Sequence, residues 1–373
     1  MDNDFYGNVF SLQHKNKNTQ LSFGGALTKY EGNHFGKLVW ASKGFTNMGK
    51  WYNLNAVKTD FNIYTKLQQQ LVLHFNGFID LQYRHIKYAI NGFRDNPGLI
   101  INNNYNFFNP KIGISYTNNG WLGYVSYSQG NKEPNRDDFE AGIDQQPKPE
   151  RLHDFELGIE KRNTDYSWGA TAYYMKYKDQ LVLTGQINDV GAYTRTNIPR
   201  SYRAGIELQG STKITNWLNA EGNIAFSRNK VQHFTEYIDD YDGGGQKTFS
   251  YTSADIAYSP SIVGGATISF VAVENFEFSF LSKYAAKQYL DNTQNENRKL
   301  NAFYVQDARA IYTIKKEWLK EVNIFIQANN IFNKKYEPNG YTFSYIYGGE
   351  LTTQNYFFPM AGTNFMMGVN VRL

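Results

Sequence analysis

Cysteine is absent from the 373 residues, which leaves no disulfide framework and no thiolate site to consider. That absence suits an oxidising envelope compartment in which stray thiols are avoided. No apolar run approaches the ~20 residues of a membrane-spanning helix, and mean hydropathy is −0.58. Any passage through a bilayer must therefore rest on alternation within strands. A block of one charge is missing too. The formal +4 is spread along the chain, so nucleic acid is not an expected partner. The start, Met1-Asp2-Asn3-Asp4, has neither a basic n-region nor an apolar h-region. An exported protein needs both, so the expectation is that this sequence is the later part of a longer one.

Chemistry-bearing constellations are scarce as well. His14, His34, His74, His85, His153 and His233 are scattered, without metal-ligand spacing such as HxxxH. No nucleophile–base–acid set emerges, so neither an enzyme nor a metal or cofactor site is expected. Asp239-Asp240-Tyr241-Asp242-Gly243 has a faint likeness to a calcium loop but lacks the ligand spacing and the distal Glu. It is read as a solvated loop.

What the chain has in excess is aromatic rings: 29 Tyr and 27 Phe, with aromatics at 17%. Soluble cores bury so many large rings with difficulty, whereas a transmembrane barrel places them in girdles at both interfaces. The clearest pattern is at the end of the sequence. Val322, Ile324, Ile326 and Ala328 alternate with Asn323, Phe325, Gln327 and Asn329. Phe365, Met367, Val369, Val371 and Leu373 alternate with Asn364, Met366, Gly368, Asn370 and Arg372. A period of two over about ten residues is a strand with one apolar face, long enough when tilted to cross hydrocarbon.

The same pattern recurs along the chain. Strands are expected near 6–14 and 20–30, then 57–70 and 76–90, after a Gly-, Asn- and Trp-rich segment at 31–56. A loop at 91–103 precedes 111–117 and 121–128, joined by the hairpin signal Asn118-Asn119-Gly120. Past a loop at 129–150 come 152–162 and 168–183. Next is a hairpin with Ile206 and Leu208 on one strand and Ile224 and Phe226 on the other. Loops at 231–259, 287–301 and 333–362 separate the remaining strands, with a tight turn at Val273-Glu274-Asn275. Short polar turns thus alternate with connections of roughly 13–30 residues, as in transmembrane barrels. A soluble sandwich or propeller would have shorter strands and less regular loops. Mid-strand charges on the polar face (Asp80, Glu156, Glu160, Glu207, Glu221, Asp307 and Arg309) suit a watery lumen better than a packed core. The fold class is all-β: a transmembrane antiparallel β-barrel. About fifteen strands are counted, and single-chain bacterial barrels have an even number. The expectation is a barrel incomplete in this chain.

Three stretches resemble TonB-dependent receptors, particularly Bacteroidetes-type ones. The first is Gly130-Asn131-Lys132-Glu133-Pro134-Asn135-Arg136-Asp137-Asp138-Phe139, continued by Pro147-Lys148-Pro149-Glu150-Arg151-Leu152-His153-Asp154-Phe155-Glu156-Leu157-Gly158. The second is Tyr177-Lys178-Asp179-Gln180-Leu181, with Asn197-Ile198 and Gly205-Ile206-Glu207 after it. The third is Asn329-Asn330-Ile331-Phe332-Asn333-Lys334-Lys335-Tyr336. The resemblance implies a bacterial outer-membrane location and a 22-stranded barrel around a plug. Residues 1–373 would be its C-terminal portion, supplying about fifteen strands, with the plug and first strands outside this sequence. It also implies three partners: outer-membrane lipid, the barrel-assembly machinery and the TonB-ExbB-ExbD energy-coupling system, which acts through the plug. The family commonly ends on an aromatic residue where this chain has Leu373.

The implied function is import of a bulky scarce nutrient, with a ferric siderophore first. Uptake of a glycan or cobalamin, a passive porin-like or adhesive barrel, and a soluble carbohydrate-binding protein are the alternatives. Candidate ligand-binding residues are Lys132, Arg136 and Arg151, which would attract an anionic ferric chelate, with Asp137 and Asp138 opposing them. The alternating rings Tyr341, Phe343, Tyr345 and Tyr347 are either a ligand-stacking patch or a hairpin extension carrying a girdle.

Overall fold

The structure is a computed structural model that describes residues 2–44, 49–94, 96–139, 146–187, 193–316 and 319–372. Leu373 and part of the expected loop at 129–150 lie outside those residues. Two compact units divide the chain: residues 1–115 with 126–154, and residues 116–125 with 155–373.

The first unit opens with β1 (Asp2–Lys15), β2 (Thr19–Lys37), β3 (Lys50–Val72) and β4 (Phe75–Asn91), each antiparallel to the one before. β5 (Ile100–Asn118) and β6 (Trp121–Lys132) follow, then one helical turn, α1 (Arg136–Phe139), which no periodicity announces. β7 (Glu150–Arg162) leads to the strands of the second unit: β8 (Tyr166–Ile187), β9 (Tyr193–Thr215), β10 (Leu218–Asp240) and β11 (Gln246–Asp255). Then come β12 (Ile262–Val273), β13 (Phe276–Ala285), the short pair β14 (Gln288–Tyr289) and β15 (Lys299–Leu300), and β16 (Phe303–Lys316). β17 (Leu319–Asn329), β18 (Asn339–Tyr347), β19 (Glu350–Phe358) and β20 (Asn364–Arg372) complete it. In this unit the antiparallel order is β8, β9, β10, β12, β13, β16, β17, β20.

Fifteen of the twenty described strands fall where the sequence places strands, and β11, β14, β15, β18 and β19 fall within the expected loops. Turn chemistry sets the register. Asn119 and Gly120 have φ of 46° and 76°, the left-handed pair that a two-residue hairpin turn needs to match the twist of its strands. Asn275 (φ 65°) does the same between β12 and β13.

Cross-strand partners share a face, so the registers sort the side chains of the second unit. Ile206 stands opposite Phe226, Leu208 opposite Ile224, and Ile224 opposite Gly264. Further along, Ala310 faces Ile326 and Ile324 faces Val369. This face, even-numbered from β8 to β17 and odd-numbered on β20, is apolar. The odd-numbered face carries Glu207 beside Ala225, Gln209 beside Asn223, and Arg309 beside Gln327. The alternation read for Ile206/Glu207 and Ile224/Asn223 is present in the ladder.

Four connections are more ordered than their sequence suggests. The segment at 31–56 contributes the ends of β2 and β3; the loop at 231–259 contains the end of β10 and all of β11. The loops at 287–301 and 333–362 contain β14–β15 and β18–β19. β8, β9 and β10 reach 22, 23 and 23 residues, about twice what hydrocarbon requires. Beyond that thickness water reaches both faces, so the apolar alternation fades while the hydrogen-bond ladder continues. Real cores form at these long-connection ends. Ile86, Tyr88, Ile90, Phe93, Leu99, Ile101 and Phe139 make one in the first unit; Val182, Ile198, Val231, Phe234 and Ile256 make another in the second.

Candidate functional site

The first motif, residues 130–139, is an anchor. Asn135 and Asp138 cap α1 reciprocally: the Asn135 N–H donates to Asp138 Oδ2 (2.7 Å), and the Asp138 N–H donates to Asn135 Oδ1 (3.0 Å). The buried Asp138 thus directs one carboxylate oxygen at backbone. Phe139 is completely buried against the long-end core, with Tyr88 at 6.0 Å between ring centroids. Pro134 is likewise fully buried. Glu133 accepts hydrogen bonds from Lys58 (2.8 Å) and from both Arg84 terminal nitrogens (3.0 and 3.1 Å). Arg84 also grips Asp60 from β3, at 2.5–3.1 Å. Burial works against the Glu133 charge most strongly, but the Lys58 hydrogen bond and the two cations hold its carboxyl below the usual range.

The three cations expected to attract a chelate all lie in this unit, each with a local partner. Lys132 Nζ is 3.8 Å from Glu150 and remains half exposed. The Arg136 guanidinium sits 4.6 Å over the Phe93 ring and donates to the Gly92 carbonyl (3.2 Å). Arg151 Nε donates to Asn131 Oδ1 at 3.2 Å. Asp137 is exposed.

In the second unit the four rings lie on β18, whose residues alternate between a buried polar side (Thr342, Ser344) and the ring side. Tyr341 stacks on Tyr356 of β19 (4.8 Å, 12°), Phe343 leans on Tyr345 (5.7 Å), and Tyr345 meets Tyr241 edge-on (5.8 Å). Tyr347, 68% exposed, marks the tip. The hairpin extension and the aromatic patch are therefore the same object.

Several groups fix that hairpin. Its turn, Gly348-Gly349, has φ of 65° and 78°, and both N–H groups donate to the Asp242 carboxylate (2.9 and 2.7 Å). Asp240 accepts from the Asp242 and Gly243 amides and from Lys247, and Asp239 accepts from Gln246. The acidic stretch with a calcium-like look is thus a hydrogen-bonded latch between two hairpin tips. Tyr258 Oη donates to the Gly340 carbonyl (2.7 Å), Gln288 to that of Pro338 (3.3 Å), and Asn355 to that of Asn297 (2.6 Å). Arg298 is buried between Glu236 and Asp291 (2.9 Å), and its Nη2 reaches Thr353 (3.5 Å). The Tyr251 hydroxyl donates to Glu236; burial first, then this carboxylate, push its pKa up to about 12.

The charged residues of this frame escape sequence reading because their partners are remote, as with Arg298 and Glu236. One signal was available: Asn135-x-x-Asp138 has the spacing of a capping box. The wall in this unit carries an open concavity of about 1030 Å³ whose border includes Glu160, Gln209, Glu221, Asn223 and Glu277. Among the described residues, no group of three or more His, Asp or Glu side chains is arranged to hold a metal ion.

A family model described as "TonB dependent receptor-like, beta-barrel" matches residues 1–331. No curated protein matches the sequence. Among solved structures, the siderophore receptor PiuA from Acinetobacter baumannii is similar at a TM-score of 0.71 and 14% identity, over 99% of this chain and 55% of that one. The copper transporter OprC gives 0.73 and 13%, over 98% and 56%. The ferric-catecholate import receptor Fiu from E. coli K12 gives 0.67 and 15%, over 99% and 54%. This chain spans about half the length of those proteins. At such identities the likeness is one of fold.

Proposed function

This chain belongs to the TonB-dependent receptor-like β-barrel family, whose members are outer-membrane proteins, and on that premise we propose that it forms the barrel wall and outer loops of an importer of ferric siderophores. The observation that carries the cargo class is the ring-bearing hairpin β18–β19. Stacked and edge-on tyrosines held by hydrogen bonds at root, middle and tip are a pre-organised aromatic surface. Such a surface meets a flat catecholate or aryl chelate without first having to be ordered. Lys132, Arg136 and Arg151 supply positive charge on loops of the other unit, which suits the net negative charge of such chelates. In this reading the short turns face the periplasm, the long connections face outward, and TonB-ExbB-ExbD provides the energy for uptake. The barrel-assembly machinery inserts the wall, with the even-numbered face against lipid.

The test uses the full-length receptor in a host lacking its own ferric-siderophore receptors. Uptake of a radiolabelled ferric catecholate should depend on the membrane potential, and Tyr341→Ala with Tyr345→Ala should weaken chelate binding at least tenfold. Uptake of cobalamin or an oligosaccharide with no chelate uptake would overturn the cargo. Potential-independent entry would favour a passive barrel.

A further inference from the structure

The apolar face of β2 ends well before the strand does. Leu21, Phe23 and Leu27 are exposed on its odd-numbered side, which then continues as Lys29, Glu31, Asn33, Phe35 and Lys37. Phe35 stands eight positions past Leu27. At about 3.3 Å per residue and a 45° tilt, that is roughly 18 Å of height, against about 5–8 Å for a headgroup layer. The long-connection end of the β2–β3 hairpin therefore clears the membrane surface, and its rings do not belong to an interfacial girdle.

Rings and lysines gather at that end. Lys37 is opposite Lys50, and both ammonium groups lie over the Phe35 ring, 5.5 and 4.1 Å from its centre. Lys50 also donates to Asn53 Oδ1 (3.0 Å), a neutral partner that leaves its charge uncompensated. Trp51 meets Tyr52 edge-on (4.6 Å), carries the Arg94 guanidinium at 5.5 Å, and fills the space that a side chain at Gly36 would take. It is still 63% exposed. Further out, Trp40 is 77% exposed, Val39 more so, and Lys43 is exposed beside them. Between Glu31 and Asp60 the sequence holds no Asp or Glu. The nearest carboxylates along the shaft lie below the rings: Glu31, paired with Lys29, and Asp4 and Asp2 of β1, opposite Glu31 and Asn33. They repel an anion climbing the wall from the membrane, so an anion that reaches these lysines comes from outside.

We propose that Trp40, Trp51, Lys37, Lys43 and Lys50 form an attachment site for an anionic polysaccharide outside the cell, one that bears uronate or sulfate groups. A hairpin end is convex, so it cannot enclose a compact ligand, but a polymer can lie across it and re-engage after each release. Indole faces that stand singly do not build the dry centre of a protein interface. One ring is enough to cover the apolar face of one sugar. Lysines on flexible stems meet carboxylate or sulfate as point charges at any angle, without the fixed geometry of an arginine fork. The site rests on reading the long connections as outward-facing; it does not depend on what the receptor imports.

The experiment immobilises the full-length receptor in neutral detergent and exposes it to polygalacturonate, dextran sulfate and unmodified dextran of matched length. A polyanion should bind at least tenfold more tightly than dextran and weaken as salt rises; the tighter of the two separates uronate from sulfate. Trp40→Ala/Trp51→Ala and Lys37→Gln/Lys43→Gln/Lys50→Gln should each lose at least tenfold in affinity, with a heat-modifiable, folded band on a gel and unchanged ferric-chelate uptake. Lys315→Gln/Lys320→Gln/Lys335→Gln, equal in charge removed, should bind as the wild type does. Dextran binding as tightly as the polyanions overturns the site, as does equal loss in the control variant or full affinity in either hairpin variant. Polyglutamate binding as tightly as the glycans would replace the sugar by an acidic protein. Displacement by a ferric catecholate at equal concentration would make the hairpin end a cargo-capture surface instead. Lys43→Cys failing to label in intact cells would overturn the outward topology and the site with it, whereas a wrong cargo alone would leave glycan binding intact.

Discussion

Arg298→Met should unlock the outer frame of the second unit without dissolving the wall beneath it. The Arg298 side chain is 3% exposed, and those of Glu236 and Asp291 are 12% and 4% exposed. Its Nη1 donates to both carboxylates, and Tyr251 occupies the other oxygen of Glu236. Methionine fills much of the volume but leaves two buried carboxylates with no cation. Removing one partner from a buried ionic cluster costs about 3–5 kcal/mol. At about 1.4 kcal/mol per decade, local opening should become roughly 10²–10³-fold more frequent. Hydrogen exchange on the full-length receptor reads this directly. Amides of β11, β18, β19 and the 286–301 segment should lose protection, while those of the lower halves of β9 and β10 keep theirs. Arg298→Met/Glu236→Gln/Asp291→Asn should recover most of it, because no uncompensated charge remains. Unchanged exchange in the single variant, or a triple variant no better than the single, would refute the reasoning.

Three other outcomes are expected. Ile224→Arg, on the apolar face proposed to meet lipid, should cost about 2–4 kcal/mol and lower the yield of heat-modifiable receptor, whereas Asn223→Arg on the opposite face should assemble normally. Phe139→Ala should cost about 3–5 kcal/mol locally, seen as protease cleavage within 130–139, and Phe139→Leu should cost less. Glu296 is held down to about 2 by hydrogen bonds from Lys287, Lys299 and Tyr289. A depressed carboxylate contributes stability above its unfolded pKa and loses it as pH falls through the folded one. The 287–299 segment should therefore loosen between about pH 4.5 and 2 by hydrogen exchange, and Glu296→Gln should abolish that dependence.

The wall was legible in the sequence because hydrocarbon enforces a strict code. Ile206 and Glu207, or Ile224 and Asn223, can sit on only one face each, and Asn119-Gly120 can only turn. The fifteen strands outside the long connections could be counted from that code. The outer elements were not legible, since Tyr341, Phe343 and Tyr345 alternate with Thr342 and Ser344 in water on a ladder that no solvent boundary dictates. Charge partners were hidden for another reason. Arg298 meets Glu236 across 62 residues, and Asp242 meets Gly348 across 106, and neither pairing leaves a local pattern. The cations of the first unit were visible as residue types, and the Asn135-x-x-Asp138 spacing hinted at the cap of α1, but the Phe93 ring under Arg136 follows only from the packed loop.

The grip of Asp242 on the Gly348-Gly349 amides changes the mechanics of the hairpin that carries the rings. A hairpin tied only at its root is a cantilever, and its free tip sweeps the largest arc for the least work. With the tip pinned and the shaft braced at Gly340, Thr353 and Asn355, β18–β19 is a strut in a triangulated frame. Such a frame has no soft bending mode. Its two tips leave their seats together or not at all, so opening becomes a single event with a threshold, not a graded flutter of separate flaps.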